Sequence, residues 1–119
     1  MTPHNLTEPK MKEIFKIEID CEPGGLRPIH VFVKACSQAG IPIPEGKQWG
    51  RFMGNWGFYV SLERTVMERL YESLELLYPS YCRYTGYSVA SDSTYEVVKK
   101  EGISIKSVME EWKVSEDGF

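Results

Sequence analysis

Histidine and cysteine are scarce in this 119-residue chain, which limits the catalytic and metal-binding chemistry that it can carry. The two histidines are His4, in the N-terminal tail, and His30, on the polar side of a predicted helix. The cysteines are odd in number and lack a Cys-x-x-Cys spacing, so we expect buried free thiols at Cys21, Cys36 and Cys82. We therefore predict no metal, no cofactor and no catalytic residue, and the sequence leans away from an enzyme.

Excess positive charge and long apolar runs are also missing. The chain has 14 lysines and arginines against 17 acidic residues, a formal net charge of -3, which argues against nucleic-acid binding. No segment approaches the roughly 18 apolar residues of a membrane span, and the first ten residues do not resemble a secretion signal. We expect a cytoplasmic protein without membrane contact.

Composition and length indicate one globular domain. Hydrophobic residues make up 42% of the chain and charged residues 26%, both close to the globular average, and there is no repeat. We assign 1–10 to a disordered tail, 11–92 to the domain and 93–119 to a C-terminal helical extension.

Apolar periodicity predicts the order of the elements. Residues 12–21 alternate between apolar and charged side chains and predict a strand. A helix with an apolar face follows the turn at 22–25 and ends at Gly40, and a second helix, capped by Ser61, ends near Pro79. Between these helices lies a predicted hairpin, and a fourth strand covers 81–90. The predicted apolar faces are Ile29, Phe32, Val33 and Cys36 in the first helix and Val66, Met67, Leu70, Leu74 and Leu77 in the second.

This order, β-α-β-β-α-β, predicts the α+β class and the ferredoxin-like plan, an antiparallel sheet with two helices on one face. The C-terminal extension adds a short helix from Ser93 and another from Ser104. The apolar stripe of the second contains Ile105, Val108, Met109 and Trp112. Either this stripe folds back on the sheet or it docks on a partner.

The hairpin decides which aromatic side chains face the helices. A two-residue turn at Gly54-Asn55 would place Trp49 opposite Val60 and would direct Trp49, Trp56 and Phe58 towards the helices.

Trp56-Gly57-Phe58 resembles the aromatic-Gly-aromatic centre of the third-strand signature in the RNA-recognition motif. In that family both signature aromatics face outward and stack on bases, whereas the predicted register turns Trp56 and Phe58 inward. RNA binding therefore ranks third among the candidate functions.

The open face of the sheet is the predicted site. Its candidate ligand-binding or interface residues are Lys16, Phe52, Tyr59, Arg83 and Tyr87, although the pattern of the fourth strand leaves open which of its faces is buried. Our first hypothesis is a non-catalytic auxiliary, regulatory or self-associating module that acts through this face and the C-terminal helix. The alternative is a small enzyme or small-molecule binder with a pocket on the same face.

Overall fold

The computed structural model describes residues 11–21, 27–49, 55–78, 82–90 and 92–116. These residues form a five-stranded antiparallel sheet and four helices, which confirms the predicted α+β class. The elements are β1 (Lys12–Cys21), α1 (Pro28–Ala39), β2 (Gly46–Trp49), β3 (Asn55–Glu63), α2 (Arg64–Leu77), β4 (Cys82–Val89), α3 (Asp92–Glu101), β5 (Ile103–Ser104) and α4 (Ile105–Glu111). The predicted N-terminal tail, the turn at 22–25 and Phe52 lie outside the described residues.

The strands lie in the order β4-β1-β3-β2-β5. Strand β1 pairs antiparallel with both β3 and β4, and β3 also pairs antiparallel with β2. It follows that β1 and β2 are parallel to each other with β3 between them. The prediction had only four strands, and β5 extends the sheet beyond β2.

The core lies between the sheet and helices α1 and α2. Phe15, Ile17 and Ile19 of β1 are all fully buried, as their alternation predicts. The predicted apolar faces of both helices are also confirmed, with Val66 alone partly exposed. Across the interface, the rings of Phe32 and Phe58 stack with their centroids 4.7 Å apart and their planes 12° from parallel.

Helix α1 has clear start and stop signals. Pro28 occupies its first turn, where a missing N–H leaves no hydrogen bond unmade, and the backbone N–H of Arg27 donates to His30 Nδ1 at 3.1 Å. At the other end, Gly40 adopts a left-handed conformation with φ of 70°, which glycine reaches without a Cβ clash. Helix α2 follows β3 directly after Glu63, so Ser61 lies in the strand and is not the predicted cap.

The predicted register of the hairpin is wrong. Strand β3 begins at Asn55, and Val60 lies opposite Gly46 rather than opposite Trp49, a shift of three residues along β2. Because side chains alternate between the two faces of a strand, an odd shift reverses the face of every residue in β2. Trp49 consequently pairs with Gly57 and shares the face of Tyr59.

The C-terminal elements lie on both faces of the sheet. Helix α4 joins the main core through Ile105 and Val108, which are 1% and 2% exposed, so the stripe folds back on its own domain. Helix α3 packs on the opposite face. A Cβ added to Gly102, the residue after α3, would lie 2.9 Å from the Cβ of Lys47. Lys47 pairs with Tyr59 and so shares the face that points away from α1 and α2. Strand β5 connects the two helices around the edge of β2.

Candidate functional site

Two of the predicted site residues, Lys16 and Tyr59, are neighbours on the face of the sheet opposite α1 and α2. They are register partners, and the Lys16 ammonium lies 6.0 Å from the centroid of the Tyr59 ring. The ring leans over Gly57, where an added Cβ would lie 3.4 Å from Tyr59 Cε1. Tyr59 is only 2% exposed, so its ring covers backbone and offers little surface to a ligand.

Tyr87 lies on the other face. It is the register partner of Ile17, and its ring centroid lies 5.9 Å from that of Phe15 and 4.9 Å from that of Tyr71. Near Tyr87, the face of β4 that carries this residue is therefore the one that packs on the core. Tyr87 does not share a face with Lys16 and Tyr59. Arg83 belongs to β4, but its side chain is outside the described part of the structure.

The half of this face formed by β1 and β4 carries polar and charged side chains. Lys16 Nζ lies 3.8 Å from Glu18 Oε1, and both side chains are more than one third exposed. Ser88, which pairs with Lys16, is also exposed. We call Lys16, Glu18 and Ser88 the open patch.

Strand β4 is one edge of the sheet among the described strands. Its pairing with β1 continues to Ala90, whose N–H donates to the carbonyl of Ile14 at 2.9 Å. Because bonded pairs alternate in an antiparallel ladder, the backbone N–H and C=O groups of Thr85, Tyr87 and Val89 point away from β1. This outward-pointing row of backbone groups is the β4 edge.

A cavity of about 370 Å³ lies beside α3, at the other edge of the sheet. Lys47 and Ser61 contribute from the sheet, Tyr95 from α3 and Lys106 from α4. Pro44, Glu45, Gly46, Ser104 and Ile105 complete the lining. We call this cavity the lysine pocket. Sequence reasoning missed it because its residues come from distant parts of the chain and form no local motif.

A second cavity, of about 240 Å³, lies between the start of α1 and the end of α4. Trp49 and Trp112 line it, and the Arg27 guanidinium lies 4.5 Å from the centroid of the Trp112 ring. Glu101 and Glu111 add negative charge. Trp112 of the predicted stripe is 41% exposed in this cavity, whereas Met109 is partly buried against the core.

Three observations on the described residues concern thiol chemistry, metal binding and membrane insertion. Burial raises the pKa of the Cys36 thiol from 9.0 to about 12, which suppresses the reactive thiolate. No group of three or more His, Cys, Asp or Glu residues with the geometry of a metal site occurs in the described ranges. Among the helices of the described segments, none is long and apolar enough to cross a membrane.

Comparisons with protein-family models, with curated proteins and with solved structures found no match.

Proposed function

We propose that this protein is a non-catalytic module that self-associates by pairing its β4 edge with the β4 edge of a second copy. The observation that carries the proposal is the outward-pointing row of backbone groups on an eight-residue strand. Antiparallel pairing of two identical edges has two-fold symmetry, so the contact closes as a dimer.

The same proposal includes a ferredoxin-like domain within the larger sheet. The strand order β4-β1-β3-β2 supports it. Helix α1 joins β1 to β2, which are parallel and have β3 between them, and helix α2 joins β3 to β4, which are parallel and have β1 between them. Strand β5 and helices α3 and α4 are then additions at the β2 side. Among the described strands, they leave the β4 side as the available edge.

The residues of β4 favour pairing with another strand. Natural proteins often protect an edge strand with proline, lysine or an inward-pointing charge. The sequence of β4, CRYTGYSV, contains no proline and no lysine, and its single charged residue is Arg83. Tyrosine, threonine and valine, which favour strands, make up half of it.

The surroundings of the edge favour a second copy as the occupant. The open patch presents Lys16 and Glu18, charges of both signs that suit a self-complementary contact. Val89 at the end of β4 is 52% exposed, and Leu76 and Tyr78 near the end of α2 are 78% and 45% exposed. Pairing of two edges would bring such apolar groups near a partner surface.

Helix α4 has a smaller part in this proposal than the sequence suggested. Two of its four stripe residues, Ile105 and Val108, already lie in the domain's own core. The sheet edge therefore carries the interaction.

Light scattering coupled to size exclusion tests the dimer. The expected mass is twice the 13.7 kDa of one chain. Val89→Lys places a charge on the edge and is expected to give a monomer, because a lysine ammonium at a paired edge would have to lose its hydration. Val97→Lys is the matched control, since Val97 is 43% exposed on α3 at the opposite side of the sheet, and this variant should remain dimeric.

A second variant tests the backbone contacts directly. Thr85→Pro removes one outward-pointing N–H while leaving the hydrogen bonds to β1 in place, so it should also give a folded monomer. A monomeric wild-type chain would overturn the proposal, and so would a Val89→Lys variant that remains as dimeric as Val97→Lys.

A further inference from the structure

We propose that the lysine pocket is a binding site for a small organic phosphate. The inference is independent of the dimer, because the pocket lies at the β2 and β5 side of the sheet and the β4 edge lies at the other side.

Positive charge is concentrated in this pocket although the chain as a whole is acidic. Lys47 and Lys106 face a single carboxylate, that of Glu45, so the lining has a net charge of +1. Within the described residues, neither ammonium lies within 4.0 Å of a carboxylate. Two such cations around one cavity attract an anion.

The backbone fixes the relative position of the two lysines. Lys47 is the register partner of Ser104 in the pairing of β2 with β5, and Lys106 follows Ser104 by two residues. Ser104 is also the N-cap of α4, where its Oγ accepts the N–H of Ser107 at 3.2 Å. Strand pairing and the cap therefore hold the backbone of both lysines at one rim.

Hydroxyl groups supply hydrogen-bond donors from other sides of the pocket. Ser61 comes from β3 and Tyr95 from α3, and in the described part of the chain no side-chain hydrogen bond engages either hydroxyl. The Ser104 hydroxyl is already used, because it donates to Ser107 Oγ at 2.8 Å. Ser61, Tyr95 and the two ammonium groups are thus the donors available to an anion.

The number of cations and the size of the cavity indicate the ligand class. Lysine binds phosphate as a point charge, and both cations in the pocket are lysines. Two ammonium groups match the nearly two negative charges that a phosphate monoester carries at neutral pH, whereas a carboxylate carries one. A cavity of about 370 Å³ is larger than inorganic phosphate needs, and Pro44, Ile105 and the ring of Tyr95 can cover an organic body.

Isothermal titration calorimetry at constant ionic strength tests the site with glycerol 2-phosphate, inorganic phosphate and acetate as probes. We expect glycerol 2-phosphate to bind more tightly than inorganic phosphate, and acetate to give no heat above dilution. Lys47→Gln and Lys106→Gln should each weaken glycerol 2-phosphate binding by roughly tenfold, because each removes a charge-assisted hydrogen bond.

Lys100→Gln is the matched control, since Lys100 is exposed on α3 and does not line the pocket. It changes the net charge equally and should bind glycerol 2-phosphate as the wild type does. Equal weakening by Lys100→Gln, acetate binding as tight as that of phosphate, or no binding of glycerol 2-phosphate would each overturn the proposal. A chain that is monomeric but binds glycerol 2-phosphate would refute the dimer and support the pocket.

Discussion

Gly46 and Ile105 meet where helix α4 crosses the second strand. A Cβ added to Gly46 would lie 3.0 Å from Ile105 Cδ1 and would come closer still to the carbonyl oxygen of Tyr59. A side chain at this position would therefore force the backbone of β3 or the side chain of Ile105 to shift. This close approach lets the C-terminal helix complete the core and places Lys106 at the rim of the lysine pocket.

Gly46→Ala should destabilise the fold by about 2 kcal/mol, because the new methyl group meets a backbone oxygen that cannot move aside. Urea denaturation followed by circular dichroism measures the loss. Gly57→Ala is the control: the nearest atom to its Cβ would be the Trp49 carbonyl oxygen, at 3.3 Å, so the loss should be clearly smaller. Equal stability of Gly46→Ala and the wild type would contradict the close packing of β2 against α4.

Local patterns predicted β1 and the buried face of α1, because each pattern marks the one face of its element that packs in the core. The alternation in β1 defines Phe15, Ile17 and Ile19 as one face, and that face packs on the helices. The predicted range of β1, 12–21, agrees with the structure. In α1 the same reasoning separates buried Phe32 from exposed Ser37.

The hairpin register could not be predicted in this way. Gly54-Asn55 is a good two-residue turn by local preference, but pairing along β2 and β3 follows a different register. In the observed register Gly46 lies opposite Val60 and packs closely on Ile105, a residue far away in the sequence. A periodic pattern contains no information about such a long-range contact.

The lysine pocket escaped prediction for a related reason. Its polar groups come from separate elements: Lys47 lies in β2, Tyr95 in α3 and Lys106 in α4. Only the crossing of the chain from α3 through β5 to α4 brings them together. By contrast, the apolar stripe of α4 was recognised, but its spacing could not identify the surface that buries it.

Ser73→Ala tests the contact between the two main helices. The Ser73 hydroxyl is buried and donates to the carbonyl oxygen of Ala35 in α1 at 2.8 Å. Its loss should cost about 1 kcal/mol in the free energy of unfolding, measured by chemical denaturation. Ser37→Ala, at an exposed position of α1, should change stability much less. Similar losses from the two variants would argue against a structural role for this hydrogen bond.

Phe58→Leu distinguishes a core aromatic from a base-stacking one. Because Phe58 is fully buried and stacks on Phe32, the variant should lose about 1–2 kcal/mol of stability. An outward-facing stacking residue, as in the RNA-recognition motif, could be replaced with little effect on unfolding. Trp112→Leu, at a position that is 41% exposed, provides the comparison and should cost less. Thermal and urea unfolding measure both.

Val108→Ala tests whether α4 belongs to the domain. The side chain is 2% exposed and lies in the core, so removing its two methyl groups should cost about 2 kcal/mol. Val97→Ala makes the same change at a position of α3 that is 43% exposed, and should be neutral or slightly stabilising because alanine favours helices. If Val108→Ala were equally neutral in urea denaturation, α4 would not be part of the cooperative fold.

Cys36 should resist alkylation in the native protein. It is fully buried in α1, and burial raises the pKa of its thiol to about 12, so at pH 8 the reactive thiolate is scarce and iodoacetamide has no access. The unfolded thiol ionises at lower pH than the folded one, and stability should therefore fall as pH rises from 9.0 towards 12. Peptide mapping by mass spectrometry, with and without urea, reports the modification. Rapid labelling of Cys36 at pH 8 without urea would show that the packing between α1 and the sheet opens readily.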